Sequence, residues 1–269
     1  MKLVLTNDDG VESPGIHALA AALRDLGHIC TVVAPRRDMS GSSAAIGRLE
    51  FGTSMELTPV TLPPPAAEIE AFSVDGPPGL AALLAATGAF DEPPDLVVSG
   101  INAGPNTGHS ILHSGTVGAA LTAASFGVSA LAVSLDVAES MPWQTACAFL
   151  PEALEHVIAA PVGTVLNLNV PAVADREAVR GLRWASLDHF GSFRVAVAER
   201  RDTLLQLEYR ATGADLDPDS DTALVAAGWA TLTAIRGIDE IPREEIGAQE
   251  ERPTPEPRLA TVPKDDAAL

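Results

Sequence analysis

The chain has 269 residues, of which 46% are hydrophobic and 4% aromatic, and its formal net charge is −19 at pH 7. This length is enough for a full hydrophobic core, and no apolar run approaches the roughly 20 residues that a membrane-spanning helix needs. The acidic balance argues against binding to a nucleic-acid duplex, because gripping the phosphate backbone requires a basic surface. A small anionic substrate is compatible with it, because a divalent cation and helix-terminal amides can bind phosphate.

The chain opens on an apolar run, Lys2 to Thr6, that predicts a buried first strand. Because this strand starts at once, it leaves no room for a signal peptide, and we expect a cytoplasmic protein. A turn with two consecutive carboxylates, Asp8 and Asp9, follows, and Ser13 with Pro14 predicts the start of a helix. Open α/β sheets bind ligands at the carboxyl ends of their strands, so we expect these two acids to hold a cation. The alternative is an ordinary turn, since Asp and Asn are common turn formers.

Strands and helices alternate as far as about residue 171. The predicted helices cover Pro14–Leu26, about Leu80–Thr87, Gly115–Ser125 and Trp143–Ile158. The predicted later strands cover Ile29–Ala34, Asp95–Ser99, Val128–Leu135 and Val162–Val170, with extended pieces between Phe51 and Phe72. This alternation predicts a mainly parallel, doubly wound α/β sheet.

After Pro171 the pattern changes to short strands. They are predicted over Leu182–Leu187, Phe193–Ala198, Leu204–Tyr209 and Trp229–Ile235, with a helical turn over Asp221–Ala227. A charged turn joins the second and third of these strands, so we expect a hairpin or β-rich extension, and such arms commonly mediate oligomerisation. We therefore divide the chain into one domain over residues 1–238, with a core to about 171 and an extension over about 172–238, followed by an acidic, Pro-rich tail over 239–269 that is expected to be disordered.

Polar side chains follow three of the predicted strands. Asp8 and Asp9 follow the first, Ser40 follows the second, and Asn102 follows the strand that ends at Ser99. Because the carboxyl ends of parallel strands share one edge of a sheet, these oxygen donors are expected to converge on one cation. An all-oxygen set suits Mg²⁺ or Mn²⁺ better than zinc. Taken by itself, Ser40 in a Ser/Gly-rich loop is more often solvated than metal-bound.

The segment Ser114, Gly115 and Thr116 opens a predicted helix after a glycine-containing polar loop. Free amides at that helix start, with two hydroxyls, predict a phosphate cradle. The alternative is that Ser114 is only an N-cap and that the loop glycines are plain turn residues. These glycines form neither a dinucleotide-binding motif nor a P-loop. A metal beside a phosphate cradle indicates phosphoryl chemistry, in which a metal-activated water attacks phosphorus.

Several other polar residues near these loops are weaker candidates. His113 flanks the cradle and could be a general acid or a phosphate donor, although loop histidines usually serve neither purpose. His17 is expected to be structural. Arg36 and Arg37 follow the second strand and could attract anions, whereas Asp75 could either join the site or cap a turn.

These segments, in this order, resemble the SurE family of metal-dependent phosphatases, which act as 5′/3′-nucleotidases. The resemblance rests on blocks spread over the first 235 residues or so. They are Thr6–Gly10 with Pro14–Ile16, Ala34-Pro35 with Ser40-Gly41, Val98–Asn102 with Gly104 and Asn106, and Ser114–Val117, with weaker matches over Leu166–Pro171 and Asp221–Ile235.

The resemblance implies a Rossmann-like core that hydrolyses nucleoside 5′/3′-monophosphates, and a C-terminal extension used in homodimers or homotetramers. It implies one divalent ion per subunit, Mg²⁺ or Mn²⁺, with Asp8 and Asp9 also as the catalytic residues. The family's metal ligands fall on Asp8, Asp9, Ser40 and Asn102 of this chain. Its phosphate-contacting residues fall on Asn106, Ser114, Gly115 and Thr116.

The chain departs from the family pattern at residues 76–82, which lose a Thr, an Asp and a Cys, and at residues 44–47, which lose a polar run. These departures affect the wall of the pocket and leave the substrate range open. They motivate a first alternative, a nucleotide- or metal-binding protein that has lost catalysis. A second alternative is a different metal enzyme on the same core, such as a sugar-nucleotide transferase, although no signature of a second substrate is present.

Overall fold

The computed structural model describes residues 1–50, 52, 54–189, 193–211 and 216–238, and residues 1–237 form one compact unit. The strands span Lys2–Thr6 (β1), Ile29–Pro35 (β2), Leu57–Pro59 (β3), Glu70–Val74 (β4), Leu96–Ala103 (β5), Ala130–Leu135 (β6), Val165–Val170 (β7), Leu182–Trp184 (β8), Phe193–Arg201 (β9), Leu204–Ala211 (β10) and Ala230–Ile235 (β11). The α-helices span Pro14–Asp25 (α1), Pro78–Ala86 (α2), Gly115–Ser125 (α3), Trp143–Cys147 (α4), Leu150–Ala159 (α5) and Asp221–Ala226 (α6). Short 3₁₀ helices cover Gly108–His113 and Arg176–Ala178. The predicted tail over 239–269 lies outside the described residues.

Nine strands of the described chain form one sheet in the order β3-β4-β2-β1-β5-β6-β7-β11-β8. The six strands from β4 to β7 in this order are parallel, whereas β3 and β11 run antiparallel to β4 and β7. The predicted mainly parallel, doubly wound sheet is thereby confirmed. The chain moves outward from β1 through β2 to β4 and then returns to β5 on the other side of β1. Such a reversal of strand order opens a crevice at the carboxyl ends of the two central strands.

Helices cover both faces of this sheet because its central strands are apolar on both sides. Leu3 and Leu5 of β1 belong to a core cluster that includes Leu19 of α1. Val4, which points to the opposite face, belongs to a second cluster that includes Val117 of α3. The central strands are therefore packed between two apolar cores. Their ends extend beyond these cores, and the polar residues lie there.

Strand β5 extends further than the sequence predicts. The expected strand ends at Ser99, but β5 continues to Ala103, so Asn102 lies within the strand and not in a loop after it. The pairing with β6 shifts register between Ser99 and Asn102. Gly100 makes this irregularity possible, because its φ is +140° and a Cβ atom there would lie 2.3 Å from the Val133 carbonyl oxygen.

The predicted helix over Trp143–Ile158 is in fact two helices, α4 and α5. Pro151 stands in the first turn of α5, where its missing N–H is tolerated. In the middle of one continuous helix the same proline would remove a hydrogen bond and clash with the preceding turn. The sequence pattern of apolar residues continues across this break, and the proline decides where the second helix begins.

The segment after residue 171 contributes to two sheets. Strands β9 and β10 form the predicted hairpin, an antiparallel pair outside the main sheet. By contrast, β8 and β11 join the main sheet beyond β7, which the sequence does not indicate. None of the helices in the described ranges combines the length and the apolarity needed to cross a membrane.

Candidate functional site

Asp8 joins the carboxyl end of β1 to the start of α3. Its side chain is 4% exposed, and it accepts hydrogen bonds from the Gly115 amide at 3.1 Å and from the Thr116 hydroxyl at 2.5 Å. Burial raises the pKa of the Asp8 carboxyl, and the hydrogen bonds from Thr116 and Gly115 oppose that rise. The positive end of the α3 dipole favours a carboxylate at this position. Asp8 is therefore a buried acid whose orientation is fixed by a helix terminus.

Two glycines allow α3 to approach the loops at the edge of the sheet. A Cβ atom on Gly115 would lie 2.7 Å from the Cβ of Asp8 and 2.7 Å from the Ser42 hydroxyl oxygen. A Cβ atom on Gly118 would lie 2.2 Å from the Ser43 carbonyl oxygen. The loop that follows β2 consequently packs directly on the first turn of α3, beside Asp8.

Asp9 is half-buried, and the Ala103 backbone amide at the end of β5 hydrogen-bonds to its carboxylate. Burial raises the pKa of Asp9 to about 6, and the nearby charges of Asp8 and Asp38 contribute to this rise. The Oδ2 atom of Asp9 is buried and has no hydrogen-bond partner among the described residues. A cation at this position would satisfy that oxygen and stabilise the charged form of both acids.

Asn102 lies on the same edge, in the last part of β5. Its side-chain amide donates a hydrogen bond of 2.8 Å to the Gly104 carbonyl oxygen. This contact uses the nitrogen of the amide group and leaves the amide oxygen as the group available to a cation. Since the residue that follows Asn102 hydrogen-bonds to Asp9, the predicted ligands from β1 and β5 are neighbours.

Ser40 lies on the loop that the Met39 amide ties to the Asp8 carbonyl oxygen at 2.7 Å. Its side chain is exposed. Both its hydroxyl and its amide donate to the Asp38 carboxylate, at 2.6 and 2.7 Å, and these bonds lower the pKa of Asp38. The loop is therefore positioned at the site, while the Ser40 hydroxyl is engaged with Asp38.

The chemistry of these donors fits a hard divalent cation. The predicted set contains two carboxylates, one amide oxygen and one hydroxyl, as Mg²⁺ and Mn²⁺ prefer. The described part of the chain holds no group of three or more His, Cys, Asp or Glu side chains arranged for a metal ion. In the predicted set, Asn102 and Ser40 would supply the neutral oxygen donors beside Asp8 and Asp9. The coordination itself remains a prediction.

The predicted phosphate-contacting residues surround the start of α3. The Ser114 hydroxyl accepts a hydrogen bond of 3.1 Å from the Val117 amide, so Ser114 is the N-cap of α3. The Gly115 amide and the Thr116 hydroxyl are both engaged with Asp8, whereas the Ser114 hydroxyl proton remains able to donate. Asn106 donates from its side chain to Ser134 at 2.9 Å. Phosphate binding by these residues stays a prediction.

Residues that flank the site differ in their environments. His113 is exposed at the end of the short helix before Ser114, and its role as a proton donor stays a prediction. The His17 side chain, on α1, contacts the carbonyl oxygen of Val11 in the preceding loop at 2.9 Å, which is consistent with the expected structural role. Asp75 is exposed beyond β4, and Arg36 donates to the Thr58 hydroxyl.

Ser42 is a candidate site residue that the sequence does not single out. Its hydroxyl oxygen is buried, has no hydrogen-bond partner within the described ranges, and lies against Gly115 as shown above. A serine two positions after Ser40 is visible in the sequence. In a loop so rich in Ser and Gly, however, nothing in the residue type distinguishes it from its neighbours.

The two segments that depart from the family pattern contact each other. A Cβ atom on Gly79 would lie 2.6 Å from the Ala45 carbonyl oxygen, so the start of α2 packs directly on residues 44–47. A groove of about 470 Å³ opens beside them, lined in part by Ile46 and Pro77. Arg36 and Asp75, at the carboxyl ends of β2 and β4, also line this groove. The two departures therefore alter one shared wall of this groove.

Comparison with known proteins identifies the relatives of this chain. The family model described as survival protein SurE matches residues 3–191. The chain is 38% identical over 240 residues to the 5′-nucleotidase SurE of Symbiobacterium thermophilum, covering 87% of this chain and 91% of that protein. It is 36% identical over 241 residues to the 5′/3′-nucleotidase SurE of Edwardsiella ictaluri, covering 88% and 90%. Its fold matches the crystal structure of the SurE protein from Aquifex aeolicus with a TM-score of 0.74 and 26% identity, over 92% of this chain and 97% of that one.

We expect Asp9→Asn to stabilise the metal-free protein at neutral pH. The folded protein retains a proton on Asp9 that the unfolded chain releases between pH 3.8 and about 6, so wild-type stability falls as the pH rises through this window. The variant lacks this loss, which amounts to roughly 1–2 kcal/mol after allowance for solvent screening of a half-buried group. Urea unfolding in EDTA at pH 4 and pH 7.5 measures the difference. The exposed acid variant Asp91→Asn is the control, and equal stability of Asp9→Asn and wild type at pH 7.5 would contradict the prediction.

We expect Gly115→Ala to destabilise the protein through steric conflict alone, because the backbone of Gly115 is not in the left-handed region. The added methyl group must displace either the Asp8 side chain or the Ser42 loop. Overpacking of this kind costs about 1–3 kcal/mol in the free energy of unfolding, which urea denaturation measures. Gly237→Ala, where nothing lies within 4 Å of the added atom, is the matched control. An unchanged stability of Gly115→Ala would show that α3 does not need this close approach.

Proposed function

Because this chain belongs to the SurE family, we propose that it is a metal-dependent phosphomonoesterase that hydrolyses nucleoside 5′- and 3′-monophosphates to nucleoside and phosphate. The observation that carries the proposal is the pair Asp8 and Asp9. One acid is fixed on the start of α3, and the other holds a buried, unpartnered oxygen beside it. The cytoplasmic location expected from the sequence remains part of this proposal.

The proposed metal ligands are Asp8, Asp9, Asn102 and Ser40. When bound, a single Mg²⁺ or Mn²⁺ ion neutralises charge on the phosphoryl oxygens and lowers the pKa of a bound water. Asp8 contributes a carboxylate that α3 holds in one orientation. Asp9 contributes a carboxylate that is only weakly held by the protein and therefore remains free to interact with the ion.

The proposed phosphate contacts come from the loop before α3 and from its first turn: Asn106, Ser114, Gly115 and Thr116. Ser114 and Asn106 retain N–H or O–H protons that can donate to phosphate oxygens. Hydrolysis adds water across the P–O ester bond, so the departing nucleoside oxygen needs a proton. The exposed His113 stands beside Ser114 and is the proposed source of that proton.

The proposal is tested by phosphate release from AMP with Mn²⁺, Mg²⁺ or EDTA. Asp8→Asn and Asp9→Asn are each expected to lower kcat/KM by at least about 100-fold, since even partners of metal ligands cost about 10- to 100-fold when removed. The control is Asp91→Asn, an exposed acid before β5 at the opposite end of the strand. Full Mn²⁺-dependent turnover by both site variants would refute the metal mechanism.

The departure of residues 44–47 and 76–82 from the family pattern motivates a second candidate, a nucleotide- or metal-binding protein without turnover. The two candidates differ in one result. Calorimetric binding of Mn²⁺ and AMP with no phosphate release over a panel of nucleotides and sugar phosphates supports the binding protein. Turnover of any of these phosphomonoesters supports the enzyme.

We further propose that the hairpin of β9 and β10 pairs two copies of this chain in a homodimer or homotetramer. Val197, Leu205 and Leu207 project from one face of it and are 56%, 54% and 60% exposed. An isolated two-stranded hairpin is marginally stable in water. A second copy would bury this apolar face.

Leu207→Glu is expected to lower the molar mass in solution to that of the monomer, because it places a charge in the centre of the apolar hairpin face. Light scattering coupled to size-exclusion chromatography measures this mass. Leu204→Glu, on the opposite face of the same strand and 68% exposed, serves as the control and should leave the mass unchanged. An oligomer that survives Leu207→Glu would remove the hairpin as the contact.

A further inference from the structure

A row of buried polar side chains lies beneath the polar loop before α3. Ser134 on β6 and Asn167 and Asn169 on β7 are each 0% exposed. All three point to the same face of the sheet as Ala132 and Val165, which belong to the apolar cluster beneath α3. Burying amide side chains in an apolar layer is costly unless they are hydrogen-bonded. Their hydrogen-bond partners therefore indicate what these side chains do.

These amides hold the backbone of Asn106 from both sides. The Asn106 N–H donates to the Asn169 side-chain oxygen at 2.8 Å. The Asn106 carbonyl oxygen accepts from the side-chain nitrogens of Asn167, at 2.8 Å, and Asn169, at 2.9 Å. The Asn106 side chain donates to the Ser134 hydroxyl at 2.9 Å. A loop residue thus makes four hydrogen bonds to groups on two buried strands.

The same row of the sheet reaches the proposed metal site. Asn102 on β5 pairs in register with Ser134 on β6, and Ser134 pairs with Asn169 on β7. Asn106 is thereby held above a cross-strand row that begins at a proposed metal ligand. Any shift of Asn106 relative to Asn102 would require these buried hydrogen bonds to break.

We infer that Asn167 and Asn169 are positioning residues, which fix Asn106 at the distance from the metal site that a bound phosphoryl group requires. The inference rests on the proposed function of Asn106 as a phosphate contact. Preorganised donors are effective because they need not reorient when the substrate binds. An alternative is that the two amides only satisfy the polar backbone of the loop, in which case their loss affects folding stability and not phosphate binding.

The adjacent strand provides a matched control for this alternative. Thr233 on β11 pairs in register with Asn167 and is 3% exposed. Its hydroxyl is buried without a hydrogen-bond partner in the described part of the chain. Thr233→Val keeps the shape of the side chain and perturbs the same buried layer without removing a contact to Asn106.

The experiment measures binding of inorganic phosphate in the presence of Mn²⁺ by calorimetry, together with kcat and KM for AMP. Asn169→Ala is expected to weaken phosphate binding and to raise KM by about 10- to 100-fold, by analogy with the cost of removing residues that orient metal ligands. Thr233→Val is expected to leave both values within about twofold. Equal behaviour of these two variants would overturn the inference.

A double-mutant cycle distinguishes positioning from an independent effect. If Asn169 acts through Asn106, Asn169→Ala should add little to the loss in phosphate affinity already caused by Asn106→Ala. Losses that multiply independently would contradict this. If Asn169→Ala does not fold, as judged by circular dichroism, Asn167→Ala removes one of the two hydrogen bonds to the Asn106 carbonyl oxygen and should weaken phosphate binding by several-fold. Unchanged phosphate affinity in this variant would also overturn the inference.

The outcomes separate this inference from the proposed function. Absence of phosphate release by the wild-type protein would refute the enzyme, while calorimetry with phosphate would still test the role of Asn169. An active wild-type enzyme with an unaffected Asn169→Ala variant would refute the positioning role alone. An active enzyme with coupled losses at Asn106 and Asn169 would support both.

Discussion

The contact between Asp8 and the start of α3 is the constraint on which the site depends. It joins the central strand β1 to a helix that follows β5, and it lies at the point where the strand order reverses. The absence of a side chain at Gly115 permits the contact, and the apolar packing of α3 on the second core maintains it. As a consequence, the loop after β1 and the loop before α3, which are far apart in the sequence, meet at one edge of the sheet.

The two adjacent acids are held in different ways, and this difference indicates different contributions. Asp8 is surrounded by donors from α3, which oppose the effect of its burial on its pKa. Asp9 receives one backbone hydrogen bond, from Ala103, and its pKa is raised by burial and by two neighbouring negative charges. The fold therefore fixes the position of Asp8 and leaves the charge of Asp9 to be stabilised by something else. In a chain of net charge −19, a bound cation is the group that best satisfies this local excess of negative charge.

Local patterns in the sequence predict much of the fold, and non-local contacts explain what they miss. The bounds of α3 are predicted correctly because Ser114 is a strong N-cap and small residues follow it. The extension of β5 is missed because it depends on how closely Gly100 approaches β6. The antiparallel entry of β11 beside β7 has no signal in the spacing of its apolar residues. The predicted site residues lie at the expected sheet edge, but the row of Asn167 and Asn169 beneath Asn106 depends on strand register, which no sequence pattern shows.

The hydrogen bonds at the start of α3 also limit which groups are free to donate hydrogen bonds to a bound phosphate. The first amides of a helix have no partner within the helix, but here the Gly115 amide already donates to Asp8 and the Val117 amide to the Ser114 hydroxyl. Under the proposed function, donation to phosphate would therefore come mainly from proposed contacts with protons to spare, namely the Ser114 hydroxyl and the side-chain amide of Asn106. Of these two, Ser114 is the N-cap of α3, whereas Asn106 lies on a loop outside regular secondary structure. In the positioning role inferred above, the two buried amides on β7 hold the backbone of Asn106. This loop residue is then placed as precisely as a residue within a strand.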